Sequence, residues 1–408
     1  MLLLLLACAD APKPPTPVCD GDPASVELGA TPTWSDDVAP LVAERCASCH
    51  TAGGIGPFPL DSYAAAAPMA SAMAFATASR SMPPWLPASC GDCQTFHEAP
   101  VLSDVDIAVF DRWAADGAPE GDPGVPFPDV ILPESLSDVD VVLDAGAAFT
   151  AVASGSDDVY RCFILDSPTA TDAFLTGFEV QVDNAAILHH VVLYNPVAED
   201  AALDALDAAD PGLGWECYGS AGVEAEVLFA WAPGGGATAF PEGTGLPLRG
   251  GGRVVAQMHY NVVNGPGDDR SGIALSVASE VPKPARMLWL SKSGFSLPPG
   301  QASVTESLTT EVSRDATAWG VLPHMHEVGA TFRLEADRGG ERECLVDVPE
   351  WDFHWQGFFF YEEPVALKAG DAVDMTCTWD TRSRTEATPF GEGTEEEMCM
   401  AFVYLTLD

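Results

Sequence analysis

Apolar and polar residues follow two different patterns along this chain, and the change falls near residue 123. Before it, Ile107, Phe110 and Trp113 share one helical face in a segment that begins with a capping box, Ser103 with Asp106. After it, stretches such as AFLTGFEVQV, GRVVAQMHYNVV and GATFRLEA alternate with period two between Gly, Pro and Asp turns. The pattern predicts helices followed by strands, and AEDAALDALDAAD interrupts the strands with a surface helix or loop.

The length of the strand region indicates how many domains it forms. About 270 residues exceed one ordinary sandwich, so we predict a multidomain chain in which a small all-α domain precedes two all-β, jelly-roll-like sandwiches. No internal repeat, P-loop or Rossmann fingerprint is present. The predicted boundaries are 1–31 for a leader and tether, 32–122 for the helical domain, 123–135 for a linker, and 136–283 and 284–408 for the sandwiches.

The chain opens with MLLLLLACAD, an apolar stretch that is too short to span a bilayer. It resembles the end of a bacterial lipoprotein signal, in which the cysteine, here Cys8, becomes lipidated, although the usual basic start is missing. An ordinary secretory signal is the alternative. Both predict export to the periplasm or cell surface, with membrane contact only through a lipid anchor, and export permits disulfides among the eleven cysteines.

The charge of the chain excludes some partners. It has 61 acidic and 18 basic residues, for a net charge of -43. Nucleic acids and anionic membrane surfaces repel such a protein. A solvated acidic surface that keeps the protein soluble is the simplest interpretation.

A covalent haem site is indicated in LVAERCASCHTAGGIGPFPL. Cys46, Cys49 and His50 form the C-x-x-C-H signature of c-type haem attachment, with thioethers from the cysteines and an axial imidazole from the histidine. Ser35 is the expected N-cap of a helix that ends at these cysteines. A disulfide between the cysteines, or half of a zinc site, is the alternative interpretation.

The second axial ligand of this haem is predicted to be a methionine. Met82, in SRSMPPWLP, offers a thioether, and Met69 and Met73 are nearby alternatives. With the MPPW and GAPEGDP stretches, residues 32–122 resemble a small bacterial cytochrome c domain, which implies one haem c per chain. Cys90 and Cys93 repeat the C-x-x-C spacing without a following histidine, so a local disulfide is expected there, and nearby His97 is expected to be structural.

Five of the remaining histidines fall in three short stretches: His189 and His190 in ILHHVVLY, His259 in QMHYN, and His324 and His326 in LPHMHEVG. An H-x-H on a strand places both imidazoles on one face and makes a chelate. Adjacent histidines point to opposite faces unless a bulge or strand end turns one of them. Two pairs and a single histidine therefore predict metal binding.

The order of these motifs, followed by RTEATPFGEGTEEEMCMAFVYL, resembles the ascorbate-dependent type II copper monooxygenases, the family of peptidylglycine α-hydroxylating monooxygenase and dopamine β-monooxygenase. VYRCFIL, LFAWAPG and FPEGTGLPLRGG support the likeness, which covers about residues 136–408. It implies two coppers per chain, with His189, His190 and His259 on an electron-transfer copper and His324, His326 and Met398 on the catalytic, oxygen-binding copper. Imidazole suits both copper oxidation states, and a thioether favours Cu(I).

The resemblance also implies supporting residues. Gln257 matches a position near the electron-transfer copper, and a disulfide between Cys377 and Cys399 is implied beside Met398. Three other cysteines have no predicted partner: Cys162, Cys217 and Cys344.

The implied reaction is hydroxylation of a C–H bond of a small molecule by dioxygen. Ascorbate, the fused haem domain or an external donor supplies electrons to the electron-transfer copper. The peptide-amidating members anchor a substrate carboxylate where this sequence has Leu322, Met400 and Phe402. An apolar or weakly polar substrate is therefore expected, and peptide amidation is not. The alternatives are an exported copper-binding or copper-buffering haem protein without turnover, and an adhesion module with vestigial metal sites.

Overall fold

The structure is a computed structural model. It describes residues 23–52, 56–88, 91, 93–97, 99–131, 135–155, 157–197, 199–218, 220–231, 235–263, 265–391, 393 and 395–408. The expected lipidation site Cys8 and the cysteine at position 90 lie outside the described residues. The chain divides into two compact units, Met1–Pro83 with Pro100–Ile131 and Pro84–Ala99 with Leu132–Asp408. In the described part of the chain, no helix is long and apolar enough to cross a membrane.

The elements assigned in the first unit, called the helical unit, are all helices. They are the short helices Pro23–Ser25, Trp34–Val38 and Ala67–Met69, and α1 (Ala39–Arg45), α2 (Tyr63–Ala66), α3 (Ala70–Ala78) and α4 (Asp104–Ala115). Their core holds the fully buried rings of Phe110 and Trp113. The ring centroids of Trp34 and Trp113 are 6.0 Å apart. The helical face predicted from the sequence is therefore the buried face of α4.

The N-cap of α4 agrees with the sequence prediction, and the N-cap of Trp34–Val38 differs from it. Ser103 and Asp106 form the predicted capping box of α4. The predicted cap Ser35 is instead inside the first turn of Trp34–Val38, and Thr33 is the N-cap, accepting from the Asp36 N–H. Ser35 is buried, and its Oγ accepts a hydrogen bond from the backbone N–H of Asp122, after α4.

The second unit, called the sandwich unit, is built from strands. They are β1 (Val141–Leu143), β2 (Phe149–Ala151), β3 (Asp158–Asp166), β4 (Ala173–Gln181), β5 (Leu188–Pro196), β6 (Trp215–Glu216), β7 (Ala225–Trp231), β8 (Thr238–Ala239), β9 (Thr244–Leu248), β10 (Arg253–Asn261), β11 (Gly267–Asp269), β12 (Gly272–Ala278), β13 (Lys283–Ser291), β14 (Ser296–Leu297), β15 (Val304–Glu311), β16 (Ala316–His324), β17 (Gly329–Asp337), β18 (Arg342–Val348), β19 (Phe359–Leu367), β20 (Ala372–Trp379), β21 (Thr388–Pro389) and β22 (Met400–Leu407). Helix α5 (Asp200–Ala209) forms at the predicted interruption, and a short helix spans Phe353–Trp355.

These strands form two sandwiches that share one sheet. The nine-stranded sheet runs β1-β12-β4-β9-β13-β22-β16-β19, with β8 beside β4. A five-stranded sheet, β6-β3-β10-β5-β7, completes the N-terminal half, and a four-stranded sheet, β15-β20-β17-β18, completes the C-terminal half. Each half has its own hydrophobic core, as expected for two packed sandwiches.

The two halves are less separate than the predicted boundary at residue 283 suggests. Strand β13 begins at that residue and pairs in parallel with β9, through Lys283 with Thr244 and Pro284 with Gly245. Backbone pairing therefore continues from one half into the other through this short contact. A boundary drawn from sequence alone did not anticipate it, because parallel pairing joins residues that are distant along the chain.

Residues Pro84–Ala99, called the strap, differ from the predicted 32–122 boundary. They leave the helical unit between α3 and α4 and belong to the sandwich unit. Leu86 and Phe96 are buried in the C-terminal core, and the His97 N–H donates to the Phe360 carbonyl. The strap lies along the edge strand β19, where unpaired backbone groups need a partner.

A disulfide fastens the strap. Cys93 is bonded to Cys344 of β18, 251 residues away along the chain. The predicted local disulfide of Cys93 is therefore wrong, and Cys344 gains the partner that the sequence did not indicate. Because apolar side chains carry the strap into the C-terminal core, Cys93 meets a strand of that core rather than its neighbour.

Candidate metal centre

A β-bulge brings His189, His190 and His259 together. His259 on β10 is paired with His190 on β5, and the next pair is Tyr260 with Leu188, so His189 is the extra residue of the bulged strand. The ring centroid of His259 lies 4.7 Å from that of His189 and 4.6 Å from that of His190. One nitrogen from each ring lies within 4.8 Å of the others. We call this group the three-histidine cluster.

Strand alternation explains which side of β10 carries the cluster. Met258 and Tyr260 point into the N-terminal core, whereas Gln257 and His259 occupy the opposite face. Gln257 is buried and donates to the Cys217 carbonyl at 2.7 Å. Cys217 is held by a disulfide to Cys162 of β3, and this bond pairs two of the cysteines that the sequence left unassigned.

The imidazoles of this cluster are oriented by polar and aromatic partners. His259 Nε2 lies 2.9 Å from Asp158 Oδ1, and His259 Nδ1 lies 3.1 Å from His190 Nδ1. The carboxylate holds a hydrogen on Nε2, which leaves the Nδ1 lone pair directed at the cluster. The Tyr160 ring stacks on His259 at 4.2 Å. Burial holds the pKa of His190 well below its usual range, so this imidazole is neutral and can act as a ligand.

His324, His326 and Met398 form a second group, the Met398 cluster. His324 ends β16 and His326 follows it, with ring centroids 5.1 Å apart. Met325 between them points into the C-terminal core, so both imidazoles face away from that core. Met398 is buried, and its neighbour Cys399 forms a disulfide with Cys377 of β20, the pair that the family resemblance implies.

Hydrogen bonds fix the ring orientation of both histidines in the Met398 cluster. His324 Nδ1 donates to Gln356 Oε1 at 2.6 Å, and His326 Nδ1 donates to the Glu396 carbonyl at 3.0 Å. Both acceptors place the hydrogen on Nδ1 and leave the Nε2 lone pair for a metal. Burial lowers the pKa of His324 to about 4 and that of His326 to about 3, so both rings are neutral at physiological pH.

A buried carboxyl group, that of Glu397, holds the backbone beside this cluster. Glu397 is 0% exposed and accepts hydrogen bonds from the N–H groups of His326 and Val328 and from the Trp379 indole. Burial outweighs these donors and raises the pKa of Glu397 to about 7. Because Glu397 precedes Met398, its side chain ties the backbone at His326 and Val328 to the segment that carries Met398.

Both clusters line a single cavity of about 140 Å³. Aromatic and aliphatic side chains make up much of its wall, among them Trp231, Trp289, Leu322, Met400 and Phe402. Among the described residues that line it, none is Asp, Glu, Lys or Arg. The cavity therefore offers nitrogen and sulfur donors on an apolar background, without a charged anchor for a substrate.

The candidate haem residues Cys46, Cys49, His50 and Met82 all belong to the helical unit. Cys46 and Cys49 are free thiols that follow α1, which removes the alternative of a disulfide between them. Burial, and then the neighbouring Cys49, raises the pKa of Cys46 to about 12. His50 Nδ1 lies 3.0 Å from the Phe58 carbonyl, which leaves Nε2 for an axial bond. Met82 is 37% exposed.

Sequence reasoning missed several residues of the metal centre. Asp158, Phe353 and Gln356 touch the candidate ligands from segments that carry no metal-binding motif. Glu397 had a signal, because it directly precedes Met398 in EEEMC, but that stretch resembles a solvated acidic run. Only its burial distinguishes Glu397 from the exposed Glu395.

Comparison with known proteins agrees with this arrangement. A family model described as copper type II ascorbate-dependent monooxygenase, N-terminal domain, matches residues 148–266, and the corresponding C-terminal domain matches residues 293–406. Peptidyl-glycine alpha-amidating monooxygenase A of Xenopus laevis is 26% identical over 263 residues, which are 62% of this chain and 26% of that protein. DBH-like monooxygenase protein 1 of Gallus gallus is 28% identical over 279 residues, which are 60% of this chain and 44% of that protein.

The chain thus spans less than half the length of these curated relatives. Among solved structures, an allantoicase covers 54% of this chain and 77% of its own at 12% identity, with a TM-score of 0.18, which is too low to indicate a shared fold. The two family matches together cover more than half of the 408 residues. Through these two domains, the chain belongs to the copper type II ascorbate-dependent monooxygenase family of oxidoreductases.

Proposed function

We propose that this protein is an exported copper monooxygenase that hydroxylates a C–H bond of an apolar or weakly polar small molecule. One atom of dioxygen enters the C–H bond, and the other leaves as water with two electrons and two protons. Ascorbate, a c-type haem in the helical unit or an external donor supplies the electrons. The observation that carries the proposal is that two metal-ligand clusters, one with a thioether, face the same cavity.

The donor sets fit copper. The three-histidine cluster offers imidazole nitrogens alone, which suit both copper oxidation states, and the Met398 cluster adds a thioether, which favours Cu(I). Copper bound in these clusters would supply one-electron redox chemistry and a place for dioxygen. Neutral imidazoles are ready to bind, since protonation would otherwise compete with the metal.

The chain holds the Met398 cluster rigid before any metal binds. Gln356 fixes the His324 ring, and Glu397 joins the backbone at His326 to the segment that carries Met398, just before β22. The disulfide of Cys399 with Cys377 fastens the same segment to β20. Rigid ligands reduce the reorganisation that a change of oxidation state requires, which supports a redox role over mere storage of metal.

The wall beside the Met398 cluster favours a neutral substrate. Strands β13, β22 and β16 are neighbours, and their register places Trp289 opposite Phe402 and Phe402 opposite Leu322. Opposed residues share a face of the sheet, so these side chains form one apolar row. The next row contains His324 opposite Met400. A substrate lying on the apolar row would present a C–H bond to the neighbouring histidine row.

The helical unit is proposed to carry one haem c. Cys46 and Cys49 would form its thioether bonds, and His50 would be an axial ligand through Nε2. Met82 is the proposed second axial ligand. The haem would deliver electrons to the three-histidine cluster, and fusion in one chain would raise its effective concentration without any charge attraction.

Export to the periplasm or cell surface is also proposed. The disulfides found among the described residues, Cys93–Cys344, Cys162–Cys217 and Cys377–Cys399, require an oxidising compartment to persist. A lipid anchor at the N-terminal cysteine completes this part of the proposal.

The test uses the full chain, matured in a host that attaches c-type haem and then loaded with copper. Metal and haem content are measured first, with two coppers and one haem per chain expected. The protein is then given ¹⁸O₂ and ascorbate with one of three matched compounds: 2-phenylethanol (neutral), phenethylamine (cationic) or 3-phenylpropionate (anionic). We expect ¹⁸O in a product of the neutral compound, and little in the charged compounds.

The controls separate the reaction from simple copper binding. A His326→Ala variant should lose product formation while keeping copper at the three-histidine cluster. A second run, reduced without oxygen and then exposed to it, follows the haem absorption band to test electron delivery. Copper binding without ¹⁸O incorporation for any compound would favour the copper-buffering protein, and absence of copper would overturn the proposal.

A further inference from the structure

One short turn of the C-terminal half contacts both metal-ligand clusters. The turn consists of the helix Phe353–Trp355 and Gln356, between β18 and β19, and we call it the bridging turn. The Phe353 ring lies 5.0 Å from the His189 ring and 5.9 Å from the His326 ring, centroid to centroid. Thus one phenyl ring contacts a histidine of each cluster.

The same turn orients the Met398 cluster through a polar side chain. Gln356 Oε1 accepts a hydrogen bond from His324 Nδ1, and Gln356 Nε2 donates to the Phe353 carbonyl at 2.9 Å. The amide therefore connects the backbone that carries the phenyl ring to the His324 imidazole. A displacement of the turn would move both contacts together.

The surroundings indicate that Phe353 has a different role from its neighbours. Trp355 packs against the C-terminal core and Phe358 against the N-terminal core, whereas Phe353 lines the cavity. The far side of the turn is anchored, because β19 follows it and the strap residue Trp85 packs on Phe359 at 4.8 Å. A fixed backbone thus holds a phenyl ring in the cavity.

The two halves are joined by backbone pairing and by apolar packing. Strand β13 pairs with β9 through two residue pairs, and residues of the C-terminal half, among them Tyr404 and Phe360, pack against the N-terminal core. A hydrogen bond from Tyr218 to Glu396, at 2.6 Å, is another contact between the halves close to the clusters. Phe353 adds a direct contact with a histidine of each cluster.

We propose that the bridging turn is a positioning element that fixes the separation of the two ligand clusters. The inference rests on the proposed copper monooxygenase function, because only then does the separation matter: each turnover consumes two electrons, and one of them must cross from the three-histidine cluster. Transfer of an electron becomes steeply slower with distance. Phe353 and Gln356 are positioning residues and do not contact the reacting atoms themselves.

The experiment compares four full-length, haem-matured proteins: wild type, Phe353→Ala, Phe353→Tyr and the control Phe358→Ala. The control removes a ring of the same size from the same loop, and that ring stacks on Phe360 rather than on a histidine. Copper content and thermal unfolding are measured first. The distance between the two Cu(II) ions is then measured by pulsed dipolar electron paramagnetic resonance, and differences from wild type are assigned to the copper pair because the haem iron is common to all variants.

In Phe353→Ala we expect two coppers per chain, a longer and broader copper–copper distance, and product per dioxygen lowered about tenfold. A misplacement of about 1 Å can cost up to about 100-fold in rate, so this loss is moderate. Peroxide should replace the missing product. Phe353→Tyr and Phe358→Ala should resemble wild type in both the copper–copper distance and the product formed per dioxygen.

An unchanged copper–copper distance and an unchanged yield of product per dioxygen in Phe353→Ala would overturn the inference. Equal effects in Phe358→Ala would also overturn it. If Phe353→Ala unfolds, Phe353→Leu is used instead, because it keeps an apolar side chain. It should change the copper–copper distance and the product per dioxygen in the same direction, by smaller amounts. Failure of the proposed function gives a different result, because wild type itself would then bind no copper or form no product.

Discussion

The buried carboxyl group of Glu397 allows a stability prediction with a definite magnitude. Replacing Glu397 by Gln keeps the shape and retains one acceptor oxygen. That oxygen can serve the His326 N–H and the Trp379 indole, which both donate to Oε2. The Val328 N–H, which donates to Oε1, would then face an amide NH₂ and lose its acceptor. An unsatisfied buried donor costs about 1–3 kcal/mol.

The contribution of the Glu397 carboxyl group to the free energy of unfolding depends on pH. Burial raises the pKa of Glu397 from 4.5 to about 7, so the folded protein holds this proton more tightly than the unfolded chain. The resulting stability is complete below the unfolded pKa and is lost as the pH rises through the folded pKa. The loss approaches about 3 kcal/mol, at about 1.4 kcal/mol per pKa unit. The Gln variant does not lose this stability as the pH rises, because the Gln side chain does not titrate.

The Gln variant should therefore be less stable than wild type by about 1–3 kcal/mol near pH 5, and the difference should shrink towards zero or reverse near pH 8. The assay is urea unfolding of the copper-free, full-length protein at both pH values. Glu395→Gln is the matched control, since that side chain is exposed, and it should change little at either pH. A wild-type-to-Gln difference that stays constant with pH would refute the reasoning about the buried carboxyl group.

Three further predictions concern the strap, the metal content and the substrate. Replacing both Cys93 and Cys344 by Ser should lower the free energy of unfolding by about 2–5 kcal/mol, measured by urea unfolding under oxidising conditions, because the bond closes a loop of 251 residues. Wild type treated with a thiol should be less stable than this variant, because the thiol also reduces Cys162–Cys217 and Cys377–Cys399. His259→Ala should reduce copper from two ions to one per chain by elemental analysis, since it removes a donor of the three-histidine cluster; retention of both ions would contradict that cluster as a site. Leu322→Arg places a cation in the apolar wall and should shift the preference from 2-phenylethanol towards 3-phenylpropionate, measured by competition in one ¹⁸O₂ reaction; an unchanged preference would count against this wall as the substrate surface.

The local patterns of the sequence were sufficient for the classes of element and for the histidine pairs, whereas Met398 was indicated only by the family resemblance. The capping box at Ser103 and the period of three to four residues around Phe110 specify α4, because helix periodicity and capping act over one or two turns. Alternation with period two specifies the strands in the same local way. The H-x-H spacing also contains its own geometry, since Met325 must face the core when His324 and His326 do not.

Tertiary structure alone decided which distant residues meet. The bulge that turns His189 towards His259, the disulfide of Cys93 with a residue 251 positions away, and the place of Phe353 between two clusters depend on how strands pair and pack. Such contacts carry no local period, because their partners lie on separate elements and many pairings satisfy the same alternation of apolar and polar residues. Packing selects one of these pairings, and that choice places the metal ligands, their supporting residues and the strap.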